Sequence, residues 1–286
     1  MSNVRDLGHK ISSLKNMQKV TGAMNMISSI KLRKYMAHLG VVNNFLKKTE
    51  TICGQIAFNL MGCDHPAVRG HKKISKTHII VFTADKGLCG SHNSGILKAV
   101  ENFTGELNAK GIAAEFTCLG IKAINWAVRE NRDLIGKEEM NDKTLTREAL
   151  KSIADVVYAR FLSGDVQQVL VFGKIFRSTL QQDTQRKTIL PLPAPEDGSE
   201  MPAEPFGDQL AESWGRIYLR DILRGYALHS FLSEHSARLT AMENATKNSE
   251  DLIGKYMTML NHARQAAITN ELIEIVSGKE ALKGQL

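Results

Sequence analysis

The side chains best suited to chemistry stand together in one short stretch, TADKGLCGSHN, residues 83–93. The stretch follows a continuous apolar run that predicts a buried strand. It is therefore expected at the carboxyl end of that strand, where open α/β sheets bind nucleotides. Gly87 and Gly90 could let backbone amides approach a phosphate, and Asp85 could hold the accompanying metal ion.

A purely structural interpretation of this stretch competes with the nucleotide site, and we favour it. The phosphate-binding spacings GxxxxGK and GxGxxG are absent. A tight strand-to-helix turn needs glycines with positive φ, and Asn93 is placed to cap the following helix. Cys89 and His92 could begin a metal site, but the sequence has no second pair of ligands. Neither HExxH nor GxSxG occurs, so we expect no catalytic residue, no cofactor and no metal.

The composition is that of a globular protein, with 286 residues, of which 43% are hydrophobic and 23% charged. The four cysteines show no CxxC pairing, which predicts reduced thiols in a cytosol-like compartment. They are Cys53, Cys63, Cys89 and Cys118. The longest uncharged run near the start, residues 51–63, is too short to span a bilayer. The amino-terminal residues have no apolar signal core.

Proline placement divides the chain into segments. Five of the six prolines lie between residues 191 and 205, whereas residues 1–65 and 206–286 contain none, which permits long helices. A four-three spacing in the C-terminal segment predicts a left-handed coiled coil, and the N-terminal segment has a partial stripe. The C-terminal series is Leu228, Leu232, His235, Leu239, Met242, Thr246, Ser249, Ile253, Tyr256, Leu260, Ala263 and Ala267. The N-terminal stripe is Leu7, Ile11, Leu14, Val20, Met24, Ile27 and Ile30.

Between these segments the sequence alternates strand and helix patterns, which predicts a Rossmann-like α/β domain with a mainly parallel sheet. The predicted elements are the strand His78–Thr83, a helix Asn93–Lys110, the strand Ala113–Leu119, a helix Thr144–Leu162, the strand Val166–Phe176 and an edge strand Gln185–Pro191. The fold class is therefore α/β, with a long antiparallel coiled coil of the N- and C-terminal helices. The predicted domains are an N-terminal helix 1–65, an α/β domain 75–190, a proline-rich link 191–205 and a C-terminal helix 206–286.

The N-terminal helix segment carries charge of one sign. From Leu7 to Thr49 there is no Asp or Glu, and there are eight basic residues. A solvated helix normally mixes signs to form i,i+4 pairs, so the pattern indicates nucleic acid, an anionic membrane or an acidic protein surface as partner. The cations are spread around the helix, which disfavours nucleic acid, and a merely solubilising helix is the plain alternative. The eight are Lys10, Lys15, Lys19, Lys31, Arg33, Lys34, Lys47 and Lys48.

The C-terminal stretch RQAAITNELIEIVSG, residues 264–278, places polar groups on its most apolar side. At about 100° per residue, Gln265 and Thr269 share that side with three large apolar residues. These are Ile268, Leu272 and Val276. A helix that packed this side into its own core would not carry an amide and a hydroxyl there, so the pattern indicates a partner.

Three stretches, taken together, are more specific than any single motif. They read LGHKISSLKNMQKVTGAMNMISSIKLRK (7–34), FTADKGLCGSHNSGILK (82–98) and SEHSARLTAMENATKNSEDLI (233–253), the last continuing to HARQAAITNELIEIVSG (262–278). They cover about a third of the chain and resemble, in the same order and spacing, the γ subunits of F-type ATP synthases. The length is similar to that of bacterial members.

The resemblance implies a non-catalytic rotor. Its antiparallel terminal helices would pass through a ring of three α and three β subunits, and ion flow through the membrane sector would turn it. The α/β domain would lie near the foot, beside the ε subunit and the ring of c subunits. The resemblance also implies no nucleic acid partner. It implies a peripheral location on the cytoplasmic face of the bacterial inner membrane, through the Fo sector alone.

The resemblance also implies roles for particular residues. Arg264, Gln265 and Thr269 would contact loops of the β subunit. Met24 and its basic neighbours would face an acidic lever of β. These neighbours are Lys31, Arg33 and Lys34. In the DKGLCG region, three residues are candidates for contact with ε or the c-ring. They are Asp85, Lys86 and Cys89.

The sequence departs from the family pattern at a few positions. Gly22 replaces a commonly basic residue and costs about 1 kcal/mol of helix propensity relative to Ala. The segment SSIKLRK, residues 28–34, replaces a pattern with more small residues, and Ser91 stands where a second glycine is usual. Without the resemblance, the alternative function is a small α/β nucleotide-binding enzyme or module that carries a coiled-coil interaction arm.

Overall fold

The computed structural model describes residues 2–59, 65–141, 144–193 and 207–283. The helices and strands are α1 Ser2–Asn59, α2 Pro66–Arg69, β1 Lys76–Phe82, α3 His92–Ala109, β2 Ala113–Leu119, α4 Ile121–Arg129, β3 Asp133–Glu138, α5 Arg147–Leu162, β4 Gln168–Phe176, β5 Gln182–Leu190 and α6 Asp208–Lys283. The chain forms two compact units, to both of which α1 and α6 contribute. Unit 1 comprises residues 1–27 and 241–286, and unit 2 comprises residues 28–240.

Unit 2 contains a five-stranded sheet of order β3-β2-β1-β4-β5. The pairs β1–β2, β1–β4 and β2–β3 are parallel, and only β4–β5 among the pairs of this sheet is antiparallel. Side chains alternate along the central strand: Ile79 and Val81 pack against α3 and α4, whereas Ile80 and Phe82 pack against α5 and α6. Both faces of β1 are therefore buried, which explains its continuous apolar run. The predicted α/β fold with a mainly parallel sheet is confirmed.

The predicted elements of the α/β domain are found within a few residues of their expected bounds, and β2 matches them at both ends. Two elements, α4 and β3, were not predicted. Helix α4 spans only nine residues, fewer than the roughly ten to twelve by which a helix is usually told apart from a short apolar strand. The edge strand β3 alternates exposed and half-buried positions and contains Gly136, so it lacks the apolar run of a central strand.

The domain boundaries predicted from proline placement stay predictions. The proline-rich link predicted for residues 191–205 falls mostly outside the described residues, which end at 193 and resume at 207.

In unit 1, the start of α1 packs against the C-terminal part of α6. The hydroxyls of Thr21 and Thr246 lie 2.7 Å apart, and the Lys10 amine lies 5.7 Å from the centre of the Tyr256 ring. Partners of higher number on α1 have lower numbers on α6, so the two helices are antiparallel. The buried or half-buried positions of α6 in this unit follow the predicted four-three series through Ala267.

The two terminal helices are also antiparallel within unit 2. The Tyr35 ring stacks on Phe231 with centroids 4.9 Å apart, and His229 Nε2 lies 2.9 Å from Asn43 Oδ1. A Cβ at Gly225 would overlap the Leu46 side chain, so this glycine permits close helix packing. The predicted antiparallel pairing of N- and C-terminal helices is present in each unit.

The predicted N-terminal stripe is wrong at Val20, Ile27 and Ile30, whereas Met24, which also belongs to it, is half-buried. Val20, Ile27 and Ile30 are each more than half exposed, whereas Thr21 and Ser28 are buried. The buried and half-buried positions of α1 begin at Leu7 and Ile11 and are separated alternately by four and three residues. This spacing continues through Thr21 and Ser28. The line of α1 residues at this spacing, which we call the seam, is occupied here by polar side chains. The prediction failed because it followed the apolar residues that lie beside the seam. The departure at Gly22 is accommodated, since α1 continues through it.

A buried carboxylate links two strands and a helix at the amino ends of the parallel strands. Glu115 on β2 is fully buried, and its oxygens lie 2.7 Å from His78 Nδ1, 2.7 Å from Lys76 Nζ and 2.9 Å from two nitrogens of Arg160. His78 Nε2 lies 2.9 Å from the Thr117 hydroxyl. Burial opposes the ionisation of Glu115, but the hydrogen bonds outweigh it and lower its pKa to about 2. The carboxylate is therefore ionised and paired in the folded protein.

Replacing Glu115 with Gln is expected to lower the free energy of unfolding by about 3 kcal/mol at neutral pH, because it removes the charge of a fully buried carboxylate that binds the partly exposed cations Lys76 and Arg160. A carboxyl whose folded pKa is depressed stabilises the protein above its ordinary pKa of 4.5 and loses this contribution as pH falls towards about 2. The Gln variant should therefore lose less stability over this range. Urea unfolding of both proteins between neutral and acidic pH measures the difference.

The control is Glu130→Gln, which alters an exposed carboxylate that is paired with its neighbour Arg129. It should change stability by less than about 0.5 kcal/mol. Parallel pH dependences for wild type and the Glu115 variant would show that Glu115 contributes no acid-sensitive stability.

Candidate interaction surfaces

The loop after β1, which the sequence offered as a nucleotide site, uses its acidic side chain internally. Asp85 Oδ1 accepts hydrogen bonds from the backbone N–H of Ile121 at 3.0 Å and of Met140 at 2.8 Å. The carboxylate thereby joins the loop to the start of α4 and to the chain after β3. This arrangement supports the structural interpretation of the stretch, since Asp85 fixes the loop.

Asn93 closes the same loop, and the prediction that it caps the following helix is wrong. Helix α3 begins at His92, with Ser91 at its N-cap position. The Asn93 side chain accepts from the Ala84 backbone N–H at 2.9 Å and donates to Lys86 O at 3.4 Å. An amide has donors and an acceptor, so it can bridge both ends of the loop, which a helix cap does not require.

Positive φ angles in the loop occur at one expected position and at one unexpected position. Gly90 has a positive φ of 55°, as predicted, but the second positive φ, 61°, belongs to Leu88 rather than to Gly87. Leu88 is also largely exposed. A leucine held in this conformation at a loop tip is uncommon and is retained where surrounding contacts fix the backbone.

The two other candidate ligands in the loop are buried. Burial raises the pKa of the Cys89 thiol, and burial together with the nearby cations Lys174 and Arg238 lowers the pKa of His92 to about 3. Both side chains are therefore neutral at physiological pH. In the described part of the chain, no group of three or more His, Cys, Asp or Glu side chains is placed to hold a metal ion.

The predicted foot contacts in this loop stay predictions. Asp85 and Cys89 make their contacts within the protein, whereas Lys86 and Leu88 are exposed at the tip. A partner that meets this loop would reach the exposed pair first.

The C-terminal end of α6 exposes the apolar face noted in the sequence. Ile268, Leu272 and Val276 are 57%, 57% and 56% exposed, and Ile273 and Ile275 beside them are also more than half exposed. Exposed apolar surfaces of this kind are typical of sites that bind other proteins, membranes or ligands, so the face is a candidate interaction surface.

The polar groups on this face are exposed as well. Arg264, Gln265 and Thr269 all face solvent. The Thr269 hydroxyl donates to Gln265 O at 2.9 Å, so its oxygen is left as an acceptor. The Gln265 amide can both donate and accept. The face therefore combines apolar contact area with directional polar groups, as the core and rim of an interface do.

The basic part of α1 divides between the protein interior and solvent. Lys31 is half-buried and lies close enough to Glu234 to interact with it electrostatically, whereas Arg33 and Lys34 are exposed. Met24, which lies in unit 1, is half-buried.

Ile27 and Ile30 are exposed apolar residues and are therefore candidates for contact with a partner. The sequence analysis missed them because it assigned them to the contact between α1 and α6. The unbroken heptad phase from Leu7 would have placed them outside the seam.

Comparison with known proteins identifies the family. The family model for ATP synthase matches residues 3–282. The ATP synthase gamma chain of Aquifex aeolicus (strain VF5) is 32% identical over 292 residues, which cover 98% of this chain and 98% of the relative. The gamma chain of Geobacter metallireducens is 33% identical over 99% of this chain and 100% of the relative. The chain belongs to the ATP synthase γ-chain family.

Solved structures share the fold of this γ-chain family member. A chain of the Euglena gracilis mitochondrial ATP synthase (OSCP, F1 and c-ring) has a TM-score of 0.72 at 15% identity, over 98% of this chain and 95% of that chain. A chain of the Tetrahymena thermophila mitochondrial ATP synthase central stalk and c-ring has a TM-score of 0.61 at 21% identity, over 79% of this chain and 99% of that one. Within the described residues, no helix is both long and apolar enough to cross a membrane.

Proposed function

We propose that this chain is the central rotor shaft of an F1Fo ATP synthase, and that it transmits torque between a membrane c-ring and catalytic β subunits. The observation that carries the proposal is the exposed apolar end of α6, with Gln265 and Thr269 on it, in a member of the γ-chain family. A surface of this kind suits a helix end surrounded by other subunits. The partners are a ring of three α and three β subunits, an ε subunit and the c-ring.

The chain itself is non-catalytic in this proposal. The loop at the carboxyl end of β1 supports this division of labour, because the Asp85 and Asn93 side chains are engaged in holding it closed. Attachment to the cytoplasmic face of the bacterial inner membrane is peripheral and runs through the Fo sector.

Two surfaces are assigned to the β subunit. Polar groups near the C-terminus contact β loops, and Met24 with the basic residues of α1 faces an acidic lever of β. The first set is Arg264, Gln265 and Thr269, and the basic residues are Lys31, Arg33 and Lys34. The assignment is supported by the exposure of all of these except Met24 and Lys31, which are half-buried. Lys86, at the exposed tip of the loop after β1, is proposed to meet ε or the c-ring, with Asp85 and Cys89 positioning it.

The purified chain alone is expected neither to hydrolyse ATP nor to bind ATP or ADP tightly, since no phosphate-binding spacing occurs in its sequence. Calorimetric titration with Mg-ATP and a coupled hydrolysis assay measure both properties. Submicromolar nucleotide binding by the isolated chain would contradict the rotor and favour the alternative, a nucleotide-binding module with a coiled-coil arm.

A further inference from the structure

A lysine of the sheet in unit 2 is buried without a carboxylate partner. Lys174 lies near the carboxyl end of β4, two residues beyond Phe172, so both side chains point to the face of the sheet that α3 covers. Lys174 is only 8% exposed, and its amine makes no ion pair or hydrogen bond with another described residue. Burial lowers the pKa of Lys174, because a charged group is costly to remove from water.

The first turn of α3 lies against this lysine. Lys174 Cε is 3.9 Å from the position that a Cβ at Gly95 would occupy, and the amine lies close enough to the Cys89 thiol, just before the helix, to interact with it electrostatically. His92 precedes Gly95 by three residues, on the same side of α3.

The ring of His92 is fully buried, and neither of its nitrogens has a hydrogen-bond partner in the described part of the chain. Burial and the nearby charge of Lys174 together lower the pKa of His92, so the ring and the amine lie close to each other. A neutral imidazole keeps one N–H donor, and this donor is left without an acceptor. The two side chains therefore form a buried pair of donors.

The charged groups that approach this lysine and histidine are engaged elsewhere. Arg238 on α6 donates to Glu234 Oε1 at 2.7 Å and to Gly87 O at 3.3 Å. Asp183 on β5, which is half exposed, lies 3.6 Å from Arg177. Among the described residues, no buried carboxylate is therefore left to compensate the lysine.

The pair of donors stands where sheets of this kind bind anions. In the order β3-β2-β1-β4-β5, the chain leaves β1 towards β2, whereas β4 adjoins β1 on the other side. The crevice beyond the carboxyl ends of β1 and β4 is therefore a topological switch point, and α3 begins beside it. Helix α3 has 18 residues, and its N-cap residue Ser91 forms no side-chain capping hydrogen bond. The partial positive charge at the amino end of α3 is therefore not offset by a cap.

We infer that Lys174, His92 and the amino end of α3 form a binding site for a small inorganic monoanion such as chloride. The lysine supplies a positive charge, the imidazole supplies an N–H donor, and the helix supplies its aligned amides. A bound anion joins α3 to β4 and stabilises the α/β domain. The site lies wholly within unit 2 and is independent of the rotor function.

Close packing limits the size of the anion. Thr184 Oγ1 lies 3.8 Å from the Cβ position at Gly95, beside Lys174 Cε. The loop after β1 is held closed by Asp85 and Asn93, so it does not open to receive a phosphate chain. The site therefore suits a halide rather than a nucleotide.

The test measures chloride binding to the purified full-length chain in two ways. The line width of the chlorine-35 nuclear resonance reports binding directly. The thermal unfolding temperature is compared in sodium chloride and in sodium gluconate at equal ionic strength, since gluconate is too large for the site. Chloride should raise the unfolding temperature, and the rise should grow with chloride concentration. Salts also act on proteins without binding to a site, so the deciding quantity is the difference between wild type and variants.

Two variants remove the binding groups, and a third is the matched control. Lys174→Met and His92→Leu should each lower the affinity for chloride at least about tenfold, because a hydrogen bond to a charged group is lost. In gluconate, Lys174→Met should be at least as stable as wild type, since it removes an uncompensated buried cation. Lys98→Met alters an exposed lysine on the same helix and should keep the wild-type response to chloride.

A chloride response that is equal in wild type and in Lys174→Met overturns the inference. If that variant does not fold, an unchanged response in His92→Leu overturns it instead. A water molecule that bridges the two groups in place of an anion would give wild type no chloride response beyond that of the variants, which also overturns it.

Discussion

Glutamate in place of Lys31, Arg33 and Lys34 is expected to abolish most of the ATPase activity that depends on assembly. No acidic residue occurs between Leu7 and Thr49, so the substitutions place negative charge on a surface that is otherwise positive. The new glutamates would face the acidic lever of β, and like charges brought together at an interface cost several kcal/mol. A loss of about 2 kcal/mol or more lowers the affinity of this chain for β by over tenfold. The measurement is the ATPase rate of complexes reconstituted from purified subunits, at low and at moderate salt.

The matched control makes the same change in net charge elsewhere. Lys72, Lys73 and Lys110 are exposed in unit 2, and their replacement by glutamate should leave reconstitution intact. Added salt should partly restore the first variant, because screening weakens repulsion between exposed charges. An unaffected ATPase in the α1 variant would remove the acidic-lever contact from the proposal.

Replacing both Gln265 and Thr269 with alanine is expected to reduce ATP-driven pumping by roughly two- to tenfold, as the loss of one or two interfacial hydrogen bonds predicts. The isolated fold should be unchanged, since both side chains are exposed and the bond lost within the protein is Thr269 to its own helix. Alanine also favours the helix more than threonine or glutamine does. Circular dichroism of the isolated chain and pumping by the complex measure the two effects separately.

Asn270→Ala serves as the control for this face. Asn270 is also an exposed amide in the same turn, but it points about 140° away from Gln265 around the helix. The complex that carries Asn270→Ala should pump ions at the wild-type rate. Equal pumping by the Gln265 and Thr269 variant and by wild type would show that these groups are not offered to a partner.

Two features of the fold could be predicted most clearly from the sequence: the central strand β1, which is buried on both faces, and the C-terminal helix, whose apolar residues recur at a helical period. The run around Ile79 to Phe82 is continuous because helices cover both faces of β1, so its position could be predicted from the residues alone. The four-three series of the C-terminal helix could be predicted for the same kind of reason. In both cases the side chains that define the pattern are buried or half-buried in the folded protein.

The failures arose where polar residues occupy structural positions. Thr21 and Ser28 lie in the seam of α1, so an interpretation that follows only apolar residues leaves the heptad phase. Asn93 resembles a helix cap in sequence, but it bonds backward to the loop, to groups that sequence spacing does not reveal. The attachment of Arg238 to Gly87 joins residues 151 positions apart, and no local pattern could predict it.

The composition of the complex formed by this chain tests the rotor most directly. The chain, carrying an affinity tag, is co-expressed with α and β subunits and purified, and the intact complex is weighed by native mass spectrometry. We expect a single copy of this chain with three α and three β subunits, because a shaft within a threefold ring has room for one. A complex with one copy of the chain for each β subunit, or a chain that purifies without α and β, would contradict the rotor.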